Sequence, residues 1–208
     1  MESSLKNMVL VLFTITLISS AAVGGVYLIT KEPIEQAKVA AVNQALMQVL
    51  PKYEQTTSQT IEVATLPIVA HTATVADKTV GYAVESMSKN GFGGTIRLMV
   101  GFDTEGTILN INVLEQKETP GLGTKMTDEG NPLLTSFKDK NVSQINMTVK
   151  KDGGDIDALT AATISSRAYA EAVAIAYEAF KVASGAQSVA GDVATGASKQ
   201  AEKGGYNE

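Results

Sequence analysis

An uncharged run of about 24 residues, NMVLVLFTITLISSAAVGGVYLIT at positions 7–30, lies between Lys6 and Lys31 and constrains everything that follows it. As an α-helix it reaches roughly 36 Å, enough to cross the hydrocarbon core of a bilayer with some tilt. Ser20-Ala21-Ala22 resembles a small-residue cleavage site. The apolar run is longer than the core of a secretory signal, however, and continues through Val26, Tyr27 and Ile29, so the reading is an uncleaved transmembrane helix. Charge leaves its orientation undecided. Lys6 on one side faces Lys31 and Lys38 on the other, and Glu32 and Glu35 count little in the positive-inside rule.

The remainder of the 208 residues is enough for one domain with a single core. After Pro33, the spacing of Ile34, Ala37, Ala41, Ala45, Leu46 and Val49 has a helical period and is closed by Pro51, which predicts an amphipathic connecting helix over 31–51. From Ile61 to Gln116 the texture is that of β-structure, with one hairpin expected around Asp77-Lys78 and another around 103–106. Alternation at 108–113 gives one buried face, and the short strands and tight turns argue for an antiparallel sheet. NPLLTSFKDK predicts a short helix, INMTVKK at 145–151 a further strand, KDGGD a turn, and about 165–182 a helix with Ala172, Ile175, Ala176, Ala179 and Phe180 on its apolar side. The expected organisation is therefore an N-terminal stub at 1–6, a membrane span at 7–30, a connecting helix at 31–51, an α+β domain at 52–182 and a mobile tail at 183–208.

Composition removes several classes of function. A net charge of −5 offers no basic field to neutralise phosphates, so nucleic acid is not an expected partner. With no cysteine and a single histidine, His71, there is no thiolate or iron–sulfur site to build and no histidine cluster for a metal or a Ser-His-Asp centre. His71 itself reads as facing solvent or making a core hydrogen bond. Any redox or transfer chemistry must come from an organic cofactor.

One segment is crowded with side chains suited to holding such a group. DALTAATISSRA, at 157–168, places Thr160, Thr163, Ser165 and Ser166 just ahead of an alanine-rich helix, with Ala158, Ala161 and Ala162 between them. The first turn of a helix presents unpaired N–H groups and the positive end of the macrodipole, which favour a phosphate. Small side chains let that phosphate come close. The same hydroxyls could equally serve only as N-caps. No GxxxxGK[ST] string occurs, which excludes a P-loop, and no general base stands nearby in sequence to activate a threonine. If Thr163 becomes covalently bonded, another protein performs the step.

DALTAATISS resembles the D-x-x-[ST]-G-A-T-x-[ST]-[SP] signature of FMN-binding domains, in which the threonine of the G-A-T element holds FMN through a phosphoester. The matching residue is Thr163. KETPGLGTK at 117–125, VKKDGGDID at 149–157 and GFGGTIRLMVGFDTEGTI are similar to further elements of the same families. With one N-terminal span ahead of them, in this order, the chain resembles the G subunit of the Rnf electron-transport complex over roughly 1–182. The family's glycine is Ala161 here, and a positive φ at that alanine would cost on the order of 1 kcal/mol or more. The C subunit of the sodium-translocating NADH:quinone reductase shares the threonine motif but is longer and usually reads SGATLTS. A membrane-tethered domain that holds a flavin or another ligand without redox work is the alternative from a different class.

The resemblance implies a redox subunit that is no enzyme on its own, carrying covalent FMN at Thr163. Its partners would be the other subunits of a complex that couples electron flow between ferredoxin and NAD to sodium-ion or proton movement. It further implies loading by a flavin transferase, and a domain held on the periplasmic or outer face of the bacterial cytoplasmic membrane. Within ETPGLG, Pro120 would stiffen the chain while Gly121 and Gly123 let the backbone lie against a flat ring with Leu122 over one face, although a lone PGLG reads as a plain turn. Glu118 and Thr119 could hydrogen-bond the ring's polar edge or fix the loop. One of Lys150 and Lys151, alternating along a strand, would point at the flavin; each could also be a solvated surface lysine. Asp157 could cap the following helix or be read by the transferase.

Overall fold

The structure is a computed structural model that describes residues 5–186. It divides into two compact units, one ending at Ala41 and one beginning at Val42. The expected tail beyond residue 186 and residues 1–4 lie outside the described residues.

The first helix, α1, runs unbroken over Leu5–Val49, a 45-residue element with Pro33 inside it. The expectation of two helices meeting near Pro33 is therefore corrected. Proline deletes one N–H and crowds one carbonyl, a local cost of about 3 kcal/mol, while the residues on both sides continue to gain one hydrogen bond each by propagation. Over 5–41 the helix surface is exposed, and it is long and apolar enough to cross a membrane. Of the expected amphipathic face, Ala45, Leu46 and Val49 are buried, whereas Ile34 is exposed.

The second unit is built on a five-stranded antiparallel meander, β1 (Gln55–Val63), β2 (Leu66–Val75), β3 (Lys78–Ser88), β4 (Ile96–Phe102) and β5 (Ile108–Glu115), paired in sequence order. Each hairpin is set by local chemistry. Ala64-Thr65 and Ala76-Asp77 occupy two-residue turns with φ of 47° and 62° and of 46° and 62°, the left-handed pair that matches strand twist. The β4–β5 turn is closed by Asp103, whose Oδ1 accepts from Glu105 and Thr107 N–H at 2.8 Å each. Both expected hairpins are present, the first with its turn one residue earlier than read. β1 begins at Gln55 rather than near Ile61, because six exposed polar residues precede its first buried side chain.

A short helix, α2 (Pro132–Phe137), is capped by Asn131, whose side chain accepts from Leu134 N–H. The last helix, α3 (Thr163–Ala183), lies across one sheet face. Ile68, Ala70, Val84, Leu98, Val100 and Phe102 of the sheet are buried with Tyr169, Val173, Ala176 and Phe180 of α3. Phe180 stacks on Phe102 with ring centroids 4.8 Å apart. Each fully buried large side chain contributes about 1.5–3 kcal/mol, so this interface is the main adhesive of the domain. On the other sheet face, Ala45, Leu46, Val49 and Leu50 pack on Ala73, Ala83 and Met99. His71 also lies on that face, buried, with Nδ1 2.9 Å from Ser58 Oγ and Nε2 3.0 Å from Glu85 Oε1; the sequence option of a core hydrogen bond is the one realised.

The stretch 145–151 is not a strand. Val149 makes an isolated bridge to Ile156, and Lys150–Asp152 form a turn of 3-10 helix ended by Gly153 at φ 87°. INMTVKK has the β-branched texture of a strand, but the left-handed glycine folds the chain back on itself before a second bridge can form.

Candidate functional site

At the sheet end where Ser88 pairs with Ile96 and Arg97 with Glu115, three segments converge: the β3–β4 connection, the chain leaving β5, and the N-terminus of α3. They enclose an open cleft of about 340 Å³ lined by Phe92, Thr119, Leu122, Gly123, Ala161, Ala162, Thr163, Ile164 and Ser165. That volume lies within the roughly 300–1,000 Å³ range of small-molecule sites.

Thr163 is the first residue of α3, two positions earlier than the helix start read from the sequence. Ala162 occupies the cap position and no side chain caps the helix. Ser166 N–H reaches the Ala162 carbonyl at 3.0 Å, leaving the N–H groups of Thr163, Ile164 and Ser165 without a protein acceptor among the described residues. The capping alternative for the hydroxyl cluster is thereby excluded. Ser165 Oγ donates to Glu118 Oε2 at 2.5 Å, while Ser166 Oγ donates to the Ala162 carbonyl at 2.8 Å and accepts from Leu159 N–H at 2.9 Å. Thr163 Oγ1 has no hydrogen-bond partner among the described residues and stands on the cleft wall. Thr160 is exposed and outside the lining.

Glu118 ties the three segments together. It is 5% exposed; besides Ser165, its Oε1 accepts from Gly93 N–H at 3.0 Å. Of the two sequence options for this residue, its contacts are those of a loop fastener. A Cβ on Gly123 would lie 2.7 Å from Glu118 Cβ and 2.8 Å from Ser165 Oγ, so a glycine is what allows the 117–123 loop to press against the helix end. Gly121, at φ 75°, donates its N–H to Thr124 Oγ1 at 2.9 Å and is not in the lining.

The remaining expected residues stand beside the cleft. Lys150 pairs with Asp157, Nζ to Oδ1 2.7 Å, so Asp157 is occupied by a lysine and does not cap α3. Lys151 is exposed on the same turn, and neither lysine is among the lining residues; the strand alternation that was to select one of them does not exist. The turn itself is anchored by Asp152, which takes a bidentate pair from Arg167 at 2.7 and 2.8 Å, and this holds the guanidinium above its ordinary pKa, the hydrogen bond contributing most. Arg167 sits one helical turn after Thr163 and fixes 150–152 alongside α3.

Ala161 has φ 59°, so the cost attached to a positive φ at that alanine is incurred. Left-handed backbone costs an L-residue about 1–2 kcal/mol, while a glycine adds roughly 0.4–1 kcal/mol of unfolded-state entropy. We therefore expect Ala161→Gly to stabilise the domain by roughly 0.5–1 kcal/mol, seen as a higher urea midpoint at unchanged slope. A lower midpoint would contradict the conformation described.

Sequence reading missed two lining residues, Phe92 and Ile164. The signal for Phe92 is an aromatic enclosed by glycines in GFGG, a string that entered the sequence reading only as part of a family resemblance.

The donor set suits a phosphate joined to a flat, partly apolar group. Three N–H groups at a helix N-terminus, unpaired among the described residues, can receive an anion, a hydroxyl without a partner stands among them, and the opposite walls are apolar. A family model described as FMN-binding domain matches residues 91–178, the span that contains every cleft residue named above. The chain is 34% identical over 170 residues to the G subunit of the ion-translocating oxidoreductase complex of Shewanella baltica, covering 76% of this chain and 80% of that protein. The same subunit from Vibrio atlanticus is 33% identical over 185 residues, covering 83% and 88%, and the one from Salmonella typhi is 37% identical over 155 residues, covering 69% and 75%.

Proposed function

This chain belongs to the family of G subunits of ion-translocating oxidoreductase complexes, and from that premise we propose that it is the electron-relay subunit of such a complex, holding FMN covalently through a phosphoester to Thr163. The carrying observation is the placement of Thr163: a free hydroxyl at the uncapped N-terminus of α3, on the wall of a cleft within the matched FMN-binding region.

Bound FMN supplies electron-transfer chemistry that the side chains here lack. The protein's part is to bind and orient. The N–H groups of Thr163, Ile164 and Ser165 would hold the phosphate, whose charge the helix dipole would favour. Glu118 keeps the Ser165 hydroxyl and the 91–94 loop in fixed relation, so the cleft keeps its width whether or not it is filled. Thr119 and the Gly123 backbone offer polar groups to a ring edge, and Leu122 and Ile164 exclude water from its faces. Lys151, exposed on the turn that Arg167 anchors, acts as a cation at longer range, while the charge of Lys150 is taken up by Asp157. Among the described residues no base is hydrogen-bonded to Thr163, in keeping with attachment by a separate flavin transferase.

The domain works in the Rnf type of complex, which couples electron flow between reduced ferredoxin and NAD to movement of sodium ions or protons. No nicotinamide-binding fingerprint occurs in the chain, so NAD and ferredoxin meet other subunits. α1 is the membrane anchor, and the C-terminal domain stands on the periplasmic side. There a dissociating cofactor would be lost to a dilute compartment, and a covalent bond prevents the loss without a deep pocket. The test is the intact mass of the full chain produced with and without a flavin transferase. We expect a gain of one FMN moiety only with the transferase; an unmodified mass in both preparations, and in protein from its own cells, would end the electron-carrier reading.

A further inference from the structure

Among the described residues, the large apolar side chains exposed outside α1 are Phe92 at 68%, Leu122 at 39% and Ile164 at 39%. All three line the same cleft. A soluble surface exposes single apolar residues at random, so their convergence on one opening marks a face that something flat and apolar covers.

Phe92 differs from the other two in being held rigidly while fully presented. Gly93 lies so close to the chain leaving β5 that a Cβ there would sit 1.8 Å from the Lys117 carbonyl oxygen. Its N–H is taken by Glu118. On the other side, Asn90 Nδ2 donates to both oxygens of buried Glu171 of α3, at 3.1 and 2.9 Å, and Ser88 Oγ donates to the same carboxylate at 2.5 Å. Two buried carboxylates thus fasten both flanks of Phe92, one through the Gly93 N–H and one through the Ser88 and Asn90 side chains. With its neighbours pressed against β5 and α3, the ring projects over the cleft, and its exposure does not arise from a slack loop.

Resting on the flavin reading above, we infer that Phe92 is a ring-stacking residue of this site, an aromatic face against which the isoalloxazine lies, with Leu122 and Ile164 as aliphatic cover. The phosphoester fixes only one end of the cofactor; Phe92 fixes the ring. Aromatic pairs stack in offset or edge geometry for about 0.5–1.5 kcal/mol beyond their buried area, so losing the partner lowers the ratio of docked to undocked ring roughly two- to tenfold.

The experiment uses the full chain produced with a flavin transferase and purified in detergent, as wild type and as Phe92→Ala, Phe92→Leu and Phe92→Tyr. Intact mass reports loading, iodide quenching reports access to the ring, and fluorescence anisotropy decay reports its motion. Quenching and decay are read on the FMN-bearing fraction of each chain, and we expect faster depolarisation and stronger quenching in Phe92→Ala, wild-type behaviour in Phe92→Tyr, and an intermediate response in Phe92→Leu. Full loading with unchanged quenching and decay in Phe92→Ala would overturn this assignment alone, as would complete restoration by Phe92→Leu, which would reduce Phe92 to apolar cover. A wild-type chain without FMN mass would remove the proposed function and this inference together.

Discussion

Thr163→Ala is expected to produce a chain that folds normally and, under the proposed function, gains no FMN mass when made with a flavin transferase. The effect on loading is complete because the neighbouring hydroxyls are already engaged: Ser165 with Glu118, and Ser166 with the Ala162 carbonyl and Leu159 N–H. The effect on stability is small. Thr163 Oγ1 has no partner among the described residues to lose, and substitutions away from such features stay within about 0.5 kcal/mol. Alanine is also a good residue for a first helical turn. Thr163→Ser keeps an oxygen at the same place and should retain part of the loading. The measurements are intact mass and a flavin fluorescence band that survives denaturing electrophoresis. Persistence of that band in Thr163→Ala would move the link to another residue.

Glu118→Ala has the largest expected effect on the fold. It removes the acceptor for Gly93 N–H and for Ser165 Oγ, and hydrogen bonds to a charged group are worth about 1.5–3 kcal/mol each. Part of that loss is offset, since a buried carboxylate is no longer desolvated. A net destabilisation of about 3 kcal/mol follows, a large share of the roughly 5–15 kcal/mol that holds a domain together. Glu118→Gln keeps an oxygen toward Gly93 and an amide toward a serine that can accept as well as donate, and should lose only about 1 kcal/mol. Urea midpoints in detergent, followed by circular dichroism, separate the two. Identical midpoints for both variants and the wild type would show that Glu118 does not fasten the loops.

What the sequence made legible and what it hid divide along physical lines. The hairpins at 76–77 and 103–106 were readable because turn residues and β-branched runs act within a few positions. The place of Thr163 at the start of α3, on the cleft wall, was readable because a helix start and a hydroxyl cluster coincide in one short string. The first six residues of β1 were not, since a strand exposed on both faces has no alternation to detect. Nor was the continuity of α1 through Pro33, where a strong local rule was outweighed by residues on either side of it. The role of Glu118 depends on Gly93 and Ser165, 25 and 47 positions away, a contact that no local pattern encodes. Phe92 stayed hidden for the same reason: the carboxylates that hold its loop sit on β5's exit and on α3, and its exposure has meaning only once the cleft exists.

The bare start of α3 has a consequence for protein lifetime. A helix end whose N–H groups find no acceptor is a small, standing deficit, and an anion seated there returns about 0.3–1 kcal/mol. Copies without such an anion would therefore open more often than copies that hold one, by a factor of roughly two to five. Proteolysis samples that open population, so under the proposed function flavin-loaded chains would outlast unloaded ones in a protease digest.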